Sequence, residues 1–146
     1  MAFTIRPTRN AAEGLAALLA LQVADGASGN AERMLRASRE VQTLLVTAAV
    51  RDARVGGRQV REGQTMALDP DDGLLAVGDD RNTVILDGMY SFTPGFGLVT
   101  LWYGEDASLA EAEGLAQRIH ARWPALDDVE VRTGLQPYYR YLISAE

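Results

Sequence analysis

Between Thr43 and Val50 the chain puts apolar side chains on both alternating faces at once: Leu44, Val46, Ala48 and Val50 on one, Leu45, Thr47 and Ala49 on the other. Successive side chains of a strand point to opposite sides, so a strand of this kind is stable only where something covers both of its faces. A chain containing it must build a layered structure around a sheet. The strand is expected to run on to Val55, with Arg51 and Asp52 marking its emergence into water. Gly56 and Gly57 supply the positive φ angles of a two-residue hairpin turn, so Val60 returns antiparallel. Gly63 introduces the next strand, and residues 64–68 and 74–77 flank Asp69, Pro70, Asp71, Asp72 and Gly73, a set of turn formers that predicts a second hairpin. Residues 44–77 therefore read as an antiparallel meander.

Strand and helix alternate elsewhere. A short strand is expected over residues 3–6, then a buried helix over about 11–22 with Leu15, Leu18, Leu19 and Val23 at helical spacing and a closely packing Ala-rich remainder. Arg6 and Arg9 before this apolar stretch imitate a secretory signal, but Glu13 interrupts it and the stretch is too short to span a bilayer. A second helix is expected to start at Asn30 as cap, carry a Glu32/Arg36 pair, and end near Glu40. Asp79 or Asp80 caps a helix whose Val84, Ile85, Met89 and Phe92 share one face, followed by a strand over 96–103. Ser108 and Glu111 form a capping box ahead of the stripe Ala112, Leu115, Ala116, Ile119, Trp123, which Pro124 stops. Strands over 129–133 and 139–143, separated by Gly134 and Pro137, close the chain. The fold class is α/β: a mixed β-sheet with flanking helices and an antiparallel meander, in a single domain over residues 1–146.

Composition narrows the chemistry. Fourteen basic residues against twenty acidic ones leave a net charge of −6, which argues against nucleic acid as a partner. Every basic residue is Arg, so a Schiff-base lysine and a GxxxxGK[ST] phosphate loop are excluded. There is no Cys, and the one His, His120, lies on the polar side of its helix, where a solvated role outweighs that of a base. No GxSxG elbow is present. Asp69, Asp71, Asp72, Asp79 and Asp80 read as turn and cap residues, because twelve residues counted from Asp69 end at Asp80 rather than at the Glu of a calcium loop. Glu105 and Asp106 precede the Ser108 cap, where a helix dipole favours negative charge. No catalytic residue, metal ligand or cofactor is assigned.

Two groups remain as candidates for partner binding. Arg51 and Asp52 end a buried strand and are either an ion pair with each other or a recognition element. Tyr138, Tyr139, Arg140 and Tyr141 form the densest aromatic and Arg group; in a terminal strand Tyr139 and Tyr141 would face the core, leaving Tyr138 and Arg140 for contact.

The order of Pro7-Thr8, residues 13–19 (EGLAALL), residues 47–52 (TAAVRD), Gly57 to Gly63, residues 77–80 (VGDD), residues 103–106 (YGED), Gln136-Pro137-Tyr138 and residues 141–146 (YLISAE) resembles the C-terminal region of the large subunit of bacterial fatty acid kinase, the dihydroxyacetone-kinase-like or DAK-phosphatase family. The resemblance spans nearly the whole chain. It implies a DegV-like fold and the C-terminal part of a larger kinase protein whose nucleotide site lies in an upstream domain. It further implies a non-catalytic role here: docking a fatty-acid-binding subunit for acyl phosphorylation. One departure is Gly134-Leu135-Gln136, where the family usually has Gly-Gly-Gln before Pro.

The docking surface is expected to include Tyr138, Arg140 or Arg51 with Asp52. The alternatives are direct binding of a fatty acid or small ligand, anchored by Arg51 or Ser144, and a metal-dependent phosphatase using Asp69 or Asp79. A cytoplasmic location and a homo-oligomer are compatible with the sequence.

Overall fold

The two-sided strand is present. In the computed structural model, which describes residues 7–146, β1 (Gln42–Ala48) buries Thr43, Leu44, Leu45 and Val46 in succession. The chain resolves into two compact units, Met1–Gln42 and Thr43–Glu146. The strand expected over residues 3–6 falls outside the described residues.

In the first unit, α1 (Ala11–Leu19) packs on α2 (Ala27–Glu40). Asn10 caps α1 by accepting from the Glu13 amide. The buried residues of α1 are Ala12, Glu13 and Ala17, and Glu13 is tolerated there because Arg9 donates to it from its backbone N–H (2.8 Å) and Nε (2.9 Å). The helix is thus not buried on its leucine face as expected: Leu15, Leu18, Leu19 and Val23 are all exposed, Val23 at 95%. Small residues let a helix approach closely, and here the alanines occupy the covered side while the leucine row is left outside. Asn30 is likewise no cap. The second helix begins at Ala27 after Gly26, and the Asn30 side chain instead accepts from the Gln22 amide (2.9 Å) and donates to the carbonyls of Gln22 and Asp25. Arg33 pairs with Asp25, and no ion pair between Glu32 and Arg36 is formed among the described residues.

The second unit is a six-stranded mixed sheet in the order β5-β4-β1-β8-β6-β7. Its meander is β1, β4 (Thr65–Leu68) and β5 (Leu74–Gly78), paired antiparallel. β2 (Ala53–Val55) and β3 (Arg58–Val60) form a separate two-stranded ribbon, whose turn has Gly56 at φ 55 and Gly57 at φ 79. The expected strand to Val55 is therefore broken at residues 49–52. After α3 (Arg81–Met89), β6 (Leu98–Tyr103) runs through α4 (Leu109–Arg122) to the parallel β7 (Asp128–Thr133). β8 (Tyr141–Ala145) returns antiparallel to β6 and lies between β6 and β1. It starts two residues later than expected, so Tyr139 lies before the strand and is half-buried rather than core.

Helix α3 packs on β4 and β5 and helix α4 on β6 and β7. Val84, Ile85 and Met89 of α3 and Ala112, Leu115 and Ile119 of α4 meet Leu44, Val46, Ala67, Val99, Leu101, Tyr141 and Ile143 of the sheet in one cluster. Phe92 joins it from the turn beyond α3, which ends at Met89 and so does not carry Phe92 on its face as expected. Leu45, Leu68, Thr100, Leu142 and Ser144, pointing to the opposite side, are buried too.

Candidate partner-binding site

Five segments converge on a cleft of about 270 Å³ beside the end of β1: the β1 terminus with Val50, the start of β4, Arg81 at the start of α3, Asp106 before α4, and residues 137–140 before β8. The last of these is held against the sheet. Gln136 donates from Nε2 to the Trp102 carbonyl (2.9 Å) and accepts at its own carbonyl from the Glu105 amide (3.1 Å). The Thr47 hydroxyl donates to the Tyr138 carbonyl (2.9 Å), and the Arg140 amide donates to the Val46 carbonyl (2.8 Å). Gly104 makes this approach feasible, since a Cβ there would run into the carbonyls of Gln136 and Tyr139. Leu135 enters the segment at φ 57, the left-handed region, at the position where the resembled family has Gly.

Glu111 joins the two arginines of the cleft lining. Its Oε2 accepts from the Ser108 amide (2.9 Å), and the Ser108 hydroxyl caps the Glu111 amide in return. Its Oε1 accepts from Arg140 Nη2 (2.8 Å) and Arg81 Nη1 (3.2 Å). The Ser108 amide bond, followed by the hydrogen bond and charge of Arg140, holds its carboxyl down from 4.5 to about 2. One carboxylate thus fixes two guanidinium groups at the cleft while fastening the first turn of α4. At the rim Val50 (87% exposed) and Tyr138 (82%) stand in solvent.

Of the four residues singled out from sequence, Tyr138 and Arg140 line this cleft. Arg51 and Asp52 are exposed beside Val50 and do not pair with each other; the Asp52 carboxylate accepts from the Glu62 amide (2.7 Å), closing the loop back on itself. Ser144, one of the two alternative ligand anchors, is buried in β8 opposite Thr100, and Arg51, the other, is exposed. Asp69 accepts from the amides of Asp71 (2.8 Å) and Gly73 (3.0 Å), Asp80 caps α3 through the Thr83 amide (2.7 Å), and Asp79 pairs with Arg61 (3.0 Å). Among the described residues no group of three or more His, Asp or Glu is placed to hold a metal. Sequence reasoning missed Arg81, Val50 and the second role of Glu111. The capping box was readable, but its arginines arrive from 30 and 29 residues away.

The sheet order and the β6-α4-β7 unit define a class, the DegV-like α/β fold. A fatty-acid-binding DegV family protein from Thermus thermophilus superposes with a TM-score of 0.56 at 10% identity, over 90% of this chain and 55% of that one. The chain belongs to the FakA-like C-terminal family of fatty acid kinase proteins, which matches residues 4–146. It is similar to protein YloV of Bacillus subtilis (33% identity over 144 residues) and to an uncharacterized protein of Staphylococcus haemolyticus (28% over 142 residues). In each case the match covers 96% of this chain, which spans about a quarter of those relatives (25%). No described helix is long and apolar enough to cross a membrane.

Proposed function

We propose that this chain is a docking domain that holds a fatty-acid-binding partner for phosphorylation of its acyl cargo by a kinase domain elsewhere, and does no chemistry itself. The observation that carries the reading is the cleft rim: an exposed Tyr and an exposed Val flank an Arg pair already locked by Glu111. Interfaces draw most of their energy from such aromatic and Arg anchors when they are pre-positioned, because little side-chain freedom is then lost on contact. Arg51 and Asp52 would lie at the edge of the contact. Family membership supports the kinase connection, and the likeness to a fatty-acid-binding DegV protein supports the nature of the partner.

Isothermal titration of the chain against the DegV-type fatty-acid-binding protein of the same genome tests this. Saturable binding is expected, weakened about tenfold or more by Tyr138→Ala, a typical hot-spot loss. Absence of binding by a chain with a cooperative thermal transition, or an unchanged affinity in both Tyr138→Ala and Val50→Asp, refutes the reading.

A further inference from the structure

A second, larger cleft of about 620 Å³ opens at the far ends of the two sheet-covering helices, where the last residues of α3 and α4 meet the start of β6. Its walls are aromatic. Tyr90 and Trp123 stand 5.4 Å apart between ring centroids, Phe96 meets Trp123 at 6.3 Å, and Phe92 meets Phe96 edge-on at 5.8 Å. Tyr90 is 54% exposed, and the Arg122 guanidinium lies 5.1 Å from its ring centre, so one face of the cluster already carries a cation.

The electrostatics favour another. Arg122 and Asp127 cancel, and both helices turn their C-terminal ends, each equivalent to roughly −0.5 charge, toward the cleft. The Asp127 carboxylate is exposed, and no described side chain pairs with it. It lies against Gly97, where a Cβ would come within 2.7 Å of Oδ2, while its amide donates to the Gly97 carbonyl (2.8 Å). A carboxylate whose backbone is tied to Gly97 while its oxygens stay unpaired among the described residues, beside electron-rich rings, is arranged to receive positive charge carried on an apolar group.

We infer that this cleft, lined by Tyr90, Phe96, Trp123 and Asp127, binds an organic cation: an ammonium group bearing an aromatic or aliphatic substituent. The substituent lies on the rings, and the charge sits between the Trp123 face and Asp127. This site is separate from the Arg81–Glu111–Arg140 cleft, and nothing in the docking role requires it.

Titration with benzyltrimethylammonium, followed by amide and indole N–H chemical shifts, tests the inference, with phenylacetate as an anion of similar shape. Saturable shifts at Tyr90, Gly97 and Trp123 are expected with the cation alone. Tyr90→Leu should weaken binding about threefold, the loss of an aromatic contact with the ligand's ring. Asp127→Asn, at an exposed position where the fold is retained, should weaken it about twofold or more. Equal or tighter binding of phenylacetate, shifts centred on other residues, or no saturable shift with the cation would each overturn it.

Discussion

Gly88 and Gly114 offer the same substitution in two surroundings, and the structure predicts opposite outcomes. Both lie inside helices, where Gly→Ala lowers backbone entropy loss and should stabilise by about 1 kcal/mol. At Gly114 of α4 an added Cβ meets nothing within 4 Å, so the full gain should appear. At Gly88 of α3 it would lie 2.8 Å from the Ala67 Cβ and 3.1 and 3.2 Å from the two Leu44 methyls. Ala67 has no side-chain torsion with which to yield, and Leu44 is wholly buried against the same cluster. The helix must then move off the sheet, an overpacking cost of about 1–3 kcal/mol that exceeds the propensity gain. Gly88→Ala should therefore lose about 1 kcal/mol net and Gly114→Ala gain about as much, displacing the thermal midpoint in opposite directions by roughly 3 °C each. Circular dichroism melts of the two variants beside the wild type decide it. If Gly88→Ala is stabilised to the same extent as Gly114→Ala, the α3 contact with the sheet described above is wrong.

Leu135→Gly should stabilise by roughly 0.5 kcal/mol in urea denaturation, relief of the left-handed backbone outweighing the extra freedom of the unfolded chain, while Leu135→Ala should show no such gain. Ser108→Ala removes the hydroxyl that caps α4 and should cost about 1 kcal/mol in the same assay. Glu111 is held at about 2 against an ordinary 4.5, so its folded form favours the ionised state; the stability it contributes is complete above 4.5 and lost as pH falls toward 2. Glu111→Gln should flatten the acid loss of stability across that window, and an unchanged slope would show that the carboxylate is not held by Ser108 and the two arginines.

Local signals carried through to the structure wherever neighbours in sequence settle the outcome. The Gly56-Gly57 turn, the Asp80 cap, the Ser108/Glu111 box and the α3 stripe all depend on atoms within a few residues of each other. Asn30, a capping residue by type, is a local exception, drawn off to Gln22 and Asp25, while two other misreadings share another cause. The leucines of α1 have the spacing of a buried face, but periodicity cannot say which of two faces is covered when the other offers alanine. Residues 139–140 have strand composition, yet Leu135, Pro137 and the bare backbone of Gly104 hold them in a loop. At the cleft, Tyr138 and Arg140 could be singled out from their residue types, whereas the partnership of Arg81 and Arg140 through Glu111 depends on how three distant segments close.

The position of β8 sets the order in which this sheet can be finished. Residues 141–145 lie in the middle of the sheet, between strands that begin at positions 42 and 98. Until they are made, β1 and β6 each have an open row of amides and carbonyls, and the chain holds two half-sheets, β5-β4-β1 and β6-β7, with no covalent reason to stay in register. Between the completion of β6 and the arrival of residue 141 both borders are open to their surroundings, and one short strand then seals them together.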